Sequence, residues 1–351
     1  MAEGRVYVIL LNFNGWADTI ECLESVLRSE GVMLTAVVCD NASSDGSFEK
    51  IRNWASGRQA APVPPESPLA HLTTPPLAKP IAHVELDRAS AERGEGNEAP
   101  LVLIRTGANL GYAGGNNVGL RYALARPDMR HAWVLNNDTV IAPDTLARAV
   151  SALEAEPNAG LCGSTLRYYE EPERIQMQGG GVLHPLVGQT HNLGANLPLG
   201  EARPAEEITP KLDYISGAAA LASRRFLETV GLMHEGYFLY YEEADWGVRA
   251  RKAGLRLTYA PDSTVFHKHG ATIGVHARRR ERSPVAEYYI AKNRLRFTAR
   301  HFPWALPLAW LFLALTLLNR LRRRQWSRAA IIARVLLGGS RTIDDLLARA
   351  G

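Results

Sequence analysis

Apolar and polar positions fall in long blocks along the first three quarters of the chain, and several apolar blocks stop abruptly at small polar residues. Arg5–Asn12 (RVYVILLN) is apolar at almost every position, the pattern of a strand covered on both faces. It ends in Asn12-Phe13-Asn14-Gly15, after which Ile20, Leu23, Val26 and Leu27 recur at helical spacing and predict a helix over 16–29. Leu34–Asp40 (LTAVVCD) repeats the pattern and runs into Asn41, Ser43, Ser44, Asp45, Gly46 and Ser47, with a helix predicted over 48–54. Further strands are expected at Leu101–Arg105 (LVLIR), 132–135, 160–168 and 255–267, with helices at 117–125, 144–155 and 223–230. Buried strands alternating with amphipathic helices predict an α/β sheet.

Two stretches interrupt this alternation. Residues 57–100 hold eight of the twenty prolines and no sustained period, which predicts an inserted loop, poorly ordered or draped over the surface, without chemistry of its own. Gly107, Gly111, Gly114 and Gly115 predict a flexible loop between a strand and a helix, with Asn109 and Asn116 lining a site. Their spacing does not fit the dinucleotide fingerprint, and no Lys-Ser/Thr pair follows.

The candidate chemistry sits where apolar runs end. In 132–140 (AWVLNNDTV) the run stops at Asn136, Asn137 and Asp138. Ligands of open α/β sheets bind beyond the carboxyl ends of strands, so Asp138 is placed to hold a cation; ordinary turn chemistry explains the same residues. Asp40 can accept hydrogen bonds from a base or ribose, while Ser44, Asp45 or Ser47 caps the next helix. The aromatic run 237–241 delivers Glu242, Glu243 and Asp245 ahead of helical spacing. Capping explains Asp245, and Glu242 or Glu243 held in a cleft can serve as a general base. His267 closes the last strand either as satisfied structure or as a second ligand beside Asp138, with Lys268 able to neutralise phosphate.

The 351 residues, 46% apolar, suffice for two structural units or one large α/β domain. Cys22, Cys39 and Cys162 lack disulfide or zinc spacing and fit a reducing compartment. The N-terminus has no signal-peptide pattern, so the soluble part is expected in the cytoplasm. Residues 1–269 carry 24 Lys/Arg against 32 Asp/Glu, whereas residues 270–351 carry 16 against 4. Such a basic tail attracts either anionic lipid or nucleic acid.

Taken in order, ILLNFNG, VVCDNASSDGS, NLGYAGGNN, LNNDT, GYFLYYEEADWGVRARKAG and VFHKHG resemble the family 2 inverting glycosyltransferases, especially their rhamnosyltransferase-like branch. The resemblance spans about residues 5–275 outside the proline-rich insert. It implies a GT-A (Rossmann-like) fold, a mixed, mostly parallel sheet flanked by helices, with a nucleotide-sugar site on its rim and Mg²⁺ or Mn²⁺ on the diphosphate. Carried over by position, it puts Asp40 on the base or ribose, makes Asp138 the last acid of the metal motif and makes Glu243 the catalytic base, with Glu242 or Asp245 in reserve. Asn12, Asn14, Asp40, Asn109, Gly115, Asn116, Asn137 and Lys268 are the expected donor-binding residues; Asp138 and His267 are the expected metal ligands. Asn136 stands where the motif has its first acid, and Glu243 stands in place of the usual Asp. The implied donor is a dTDP- or UDP-linked sugar, rhamnose being one candidate, and the implied acceptor a hydroxyl of a glycan or lipid-linked molecule in surface polysaccharide assembly. The alternative is a non-catalytic, membrane-associated nucleotide-sugar-binding or scaffold protein.

Residues 276–351 are expected to form a separate basic and apolar helical tail after a catalytic domain of 1–275. Residues 302–319 carry no charge and are flanked by arginines, short for a span and basic on both sides. This pattern predicts helices that associate with the membrane, in or on the cytoplasmic leaflet, through 296–337; a cap on the body or a homodimer interface is the other reading. The apolar stretch argues against nucleic acid as a partner.

Overall fold

The computed structural model describes residues 4–62, 66–268 and 283–338. In chain order the first half runs β1 (Arg5–Asn12), α1 (Trp16–Val26), β2 (Leu34–Asp40), α2 (Ser47–Ala55), α3 (Ala70–Thr73), β3 (His83–Asp87), α4 (Arg88–Glu92), β4 (Leu101–Arg105), α5 (Gly111–Ala125), β5 (Met129–Asn136), β6 (Thr139–Ile141) and α6 (Thr145–Ala155). The second half runs β7 (Ala159–Tyr168), β8 (Ile175–Gln178), β9 (Gly180–His184), β10 (Gln189–Asn192), α7 (Ala205–Ile208), β11 (Tyr214–Ile215), β12 (Ala219–Ser223), α8 (Arg224–Val230), α9 (Glu242–Lys252) and β13 (Arg256–His267), then α10 (Pro284–His301), α11 (Leu306–Arg322) and α12 (Trp326–Leu336).

Among the described residues ten strands form one sheet, in the order β3-β4-β2-β1-β5-β12-β7-β13-β6, with β8 paired to β7. The run from β3 to β5 is parallel, and β12 enters antiparallel between β5 and β7. This is the mixed, mostly parallel sheet with flanking helices that the resemblance implied. A second sheet, β10-β9-β11, stands beside it. The near-continuous apolar pattern of β1 follows from its place: Val6, Val8 and Leu10 pack under α1, α2 and α6, and Tyr7 and Ile9 under α5. Burial of each such side chain contributes about 1.5–3 kcal/mol.

Three expectations change. Segment 57–100 is not a structureless loop: β3 adds an edge strand parallel to β4, and α3 and α4 flank it. Buried Glu24 anchors the segment, accepting hydrogen bonds from Trp54 Nε1 (2.9 Å), Leu77 N (2.8 Å) and Lys79 Nζ (3.2 Å). These are long-range partners that composition does not reveal. Second, α5 starts at Gly111 rather than 117, so Gly111, Gly114 and Gly115 belong to a helix and only Gly107 stays in the loop before it. A Cβ on Gly115 would lie 2.3 Å from Leu11 Cδ1 and one on Gly119 2.6 Å from Ile9 Cγ2, so glycine lets α5 lie directly on β1.

Third, α10, which periodicity missed, joins the body. Ser283 Oγ caps it, accepting from Ala286 N at 3.2 Å, with Pro284 in its first turn. Phe297 packs with Tyr237, Tyr241 and Val248, and His301 Nε2 lies 2.6 Å from Asp245 Oδ1. The expected domain boundary at 275–276 lies outside the described residues. Helices α11 and α12 stack on α10, and Leu308, Trp310, Leu311, Leu315 and Leu318 of α11 are exposed. Pro303–Arg322 is long and apolar enough to cross a membrane by length and composition.

Candidate active site

The carboxyl ends of β1 and β5, the N-terminus of α9, the end of β13 and the outer strands β8, β10 and β11 surround a cleft of ≈ 730 Å³. That lies within the range of about 300–1,000 Å³ usual for small-molecule sites. Asp138, His267 and Glu243 all line it.

At one corner the turn after β5 presents Asp138, buried, with Oδ1 3.1 Å from His267 Nε2. Burial favours the protonated acid, but His267, the residue's own backbone amide and Lys268 outweigh it and hold the carboxyl below its ordinary value. His267 Nδ1 lies 2.7 Å from Gln176 Oε1, and Asn136 Nδ2 lies 3.2 Å from Nε2. With Nδ1 placed to donate to Gln176, a cation that displaced the Nε2 proton would meet an imidazole already oriented by a neighbouring acceptor, as in metal-ligating histidines. One carboxylate and one imidazole suit a divalent cation. Among the described residues no group of three or more His, Cys, Asp or Glu side chains could hold a metal, so the remaining ligands would be diphosphate oxygens and water. The Asn136 carboxamide is occupied with His267.

The N-terminus of α9 supplies Glu242 and Glu243, of which Glu243 lines the cleft. The segment before them is strained: Phe238, Tyr240 and Tyr241 have φ of 64°, 67° and 77°. It is held from two sides, by Tyr112 N on the Phe238 carbonyl (2.6 Å) and by Asn293 Nδ2 of α10 on the carbonyls of Tyr237, Leu239 and Tyr240 (2.7, 2.8 and 3.0 Å). Glu242 is buried, with no hydrogen-bond partner on Oε2. Burial, then the charge of Glu243, push its pKa well above the ordinary value. Burial also raises Glu243, opposed by its own backbone amide and that of Gly217. Tyr112 stands near both and near Asp138: burial and then the three carboxylates push its phenol up, and its hydroxyl donates to the Gly217 carbonyl at 2.6 Å.

The predicted residues divide. Asn109, Asn137, Asp138, Glu243 and His267 line the cleft. Asp245 does not: it is a buried ion-pair centre, accepting from Arg249 Nε (2.6 Å) and Tyr237 OH (3.2 Å) as well as meeting His301. Nor does Glu242. Asp40 and Asn12 turn inward into a hydrogen-bonded chain in which Asn137 Nδ2 donates to Thr19 Oγ1, Thr19 to Asn12 Oδ1, and Asn12 Nδ2 to Asp40 Oδ2. Asp40 Oδ1 accepts from Ser43 N, so both oxygens are engaged within the protein. Asn14 accepts from Ser44 N, Asn116 Nδ2 donates to the Tyr112 carbonyl, and Gly115 is covered by Leu11. Lys268 does not reach the cleft either: Nζ contacts Asp18 Oδ1 (2.7 Å) and Glu21 Oε2 (2.5 Å). Burial acts against its charge, and these two acids reverse that effect.

Several lining residues were missed. Asn41 accepts from Leu110 N and donates to Asn109. Gln176 holds His267, while Thr190, Asn192 and Tyr214 form the outer lip. Arg294 enters from α10. The alternating IQMQ of β8 was a readable signal for Gln176; Arg294 was hidden among the arginines of the tail.

Comparison with known proteins supplies the remaining facts. The model of a family described as "Glycosyltransferase like family 2" matches residues 98–285. A hexosyltransferase of low-salt glycan biosynthesis from Haloferax volcanii is 28% identical over 162 residues, 44% of this chain and 47% of that protein. An N-acetylglucosaminyl-diphospho-decaprenol L-rhamnosyltransferase from Mycobacterium tuberculosis is 29% identical over 225 residues, 59% of this chain and 70% of that protein. The chain thus spans about half the length of the first and 70% of the second. Among solved structures, a mannosyltransferase from Pyrobaculum calidifontis, in complex with GDP-Man and Mn²⁺, aligns at a TM-score of 0.49 with 19% identity, covering 95% of this chain and 86% of that one.

Proposed function

We propose, from the premise that this chain belongs to glycosyltransferase family 2, that it moves a sugar with inversion from a nucleoside-diphosphate donor to an acceptor hydroxyl. The observation that carries the reading is the meeting of Asp138 and His267 with Glu243 around one cleft of sugar-nucleotide size. The Glu243 carboxylate takes the proton of the acceptor hydroxyl as that oxygen bonds to the anomeric carbon. The bond from that carbon to the donor phosphate breaks on the opposite face, and the nucleoside diphosphate leaves with the electron pair. Asp138 and His267 would hold Mg²⁺ or Mn²⁺, which when bound neutralises charge developing on the leaving diphosphate. Burial and the charge of Glu243 push Glu242 well above its ordinary value, so the two carboxyls titrate as a pair.

The acceptor is a glycan or lipid-linked molecule of surface polysaccharide assembly. The Mycobacterium relative is named for transfer to a diphospho-decaprenol-linked sugar. The exposed leucines and Trp310 of α11, with Arg320, Arg322, Arg323 and Arg324 at its end, suit the headgroup boundary of a cytoplasmic leaflet. The test is incubation of the full chain with dTDP- and UDP-sugars, including dTDP-rhamnose, with and without Mn²⁺. Release of nucleoside diphosphate and an inverted anomeric configuration by proton NMR are expected; binding without release from any donor would favour the scaffold reading.

A further inference from the structure

We infer that Arg294 binds the diphosphate of a lipid-linked acceptor, whose hydrocarbon chain runs along the exposed face of α11; the inference rests on the transfer reading above. Arg294 is 8% exposed and lines the cleft. No carboxylate pairs with it among the described residues, whereas Arg249 and Arg300 meet Asp245 and Arg320 meets Glu287. Its hydrogen bond to the protein is a long one, Nε to Tyr241 OH at 3.5 Å, and its Cζ lies 5.3 Å from the Phe312 ring of α11. A guanidinium carries five N–H donors in a planar fork suited to phosphate, and the bond to Tyr241 engages only the one on Nε. A buried cation without a counter-ion is unfavourable, and a ligand anion relieves it.

Different elements carry this cation and the pair assigned to the donor. Asp138 and His267 come from the turn after β5 and the end of β13. Arg294 lies on α10, beside the Tyr241 that leads into Glu243, and touches the apolar helix. The order of base, lone cation and exposed Leu308, Leu311, Leu315 and Leu318 matches the order of an amphiphile: sugar hydroxyl, diphosphate, hydrocarbon.

The test is calorimetric titration of the full chain with farnesyl diphosphate, with farnesol, and with UDP plus Mn²⁺, for the wild type, R294Q and R294K. The wild type is expected to bind farnesyl diphosphate and not farnesol. R294Q should weaken that binding at least tenfold, and R294K, a point charge without the fork, should fall between. UDP affinity should stay within twofold in both variants. Failure of the wild type to bind the probe, or binding of farnesol as tight as that of farnesyl diphosphate, would overturn the assignment without any variant. Undiminished binding in R294Q would overturn it, and an equal loss of UDP affinity would give Arg294 to the donor. Donor turnover by the wild type is measured in parallel. Absence of turnover counts against the transfer reading, whereas turnover with an indifferent R294Q counts against Arg294 alone.

Discussion

Replacing Asn293 with alanine tests whether α10 sets the position of Glu243, the proposed base. The carboxamide nitrogen serves the carbonyls of Tyr237, Leu239 and Tyr240 at 2.7–3.0 Å. Leu239 N also reaches back to the Tyr237 carbonyl at 2.7 Å, closing a γ-turn about Phe238, a strained form of the backbone. Residues held at such dihedrals cost about 1–3 kcal/mol each and persist only while their surroundings fix them. With a net worth of roughly 1 kcal/mol per hydrogen bond, and three carbonyls left short of a donor, the loss comes to about 2–3 kcal/mol. At roughly 2 °C per kcal/mol the unfolding midpoint falls by about 5 °C. Glu242 and Glu243 follow Tyr241 directly, and a shift of the base by about 1 Å costs on the order of 100-fold in kcat. Calorimetric melting and initial rates on one preparation measure both effects, while the donor KM should stay within twofold. A lowered midpoint with wild-type kcat would refute the claim that this clamp positions the base.

Other variants follow from the same geometry. Gly217→Ala places a Cβ 2.7 Å from Glu243 Oε1 and 2.8 Å from Tyr112 OH, so kcat should fall about 100-fold with the melting midpoint little changed. Asp138→Ala should weaken Mn²⁺ and nucleotide binding together in calorimetric titration; unchanged affinities would remove Asp138 from the donor site. His301, Arg249 and their neighbours hold Asp245 below its ordinary pKa of 3.8 against the effect of burial. Its contribution is therefore present above that pH and lost as pH falls through the depressed value, so Asp245→Asn should cost about 3–5 kcal/mol near neutrality and flatten the acid side of the stability profile. Burial raises Glu243, so kcat/KM should fall with decreasing pH at a value above the ordinary 4.5, as the base gains its proton.

The sheet was legible where apolar runs are continuous: β1, β2 and β4 lie where the pattern puts them because both faces are covered. Strand β3 was not, since HVELD lies at the sheet edge among prolines and its order comes from the pairing with β4. The start of α5 was misplaced because its glycines mark close contact with Leu11 and Ile9 rather than a turn. In the site, Asp138, Glu243 and His267 were readable as polar residues ending apolar runs. Asp40 and Asn12 share that signature, yet strand register puts them side by side, and they satisfy each other. Asn293 and Arg294 acquire their roles from the docking of α10 on the strained aromatic segment, a tertiary fact that no local pattern carries.

The central claim, that Glu243 acts on an acceptor facing a donor held at Asp138 and His267, is tested most directly by pairing turnover with donor affinity in Glu243→Gln. The account predicts that transfer falls by about 10²–10⁴-fold while donor affinity stays within about twofold. Transfer at the wild-type rate in this variant would contradict it.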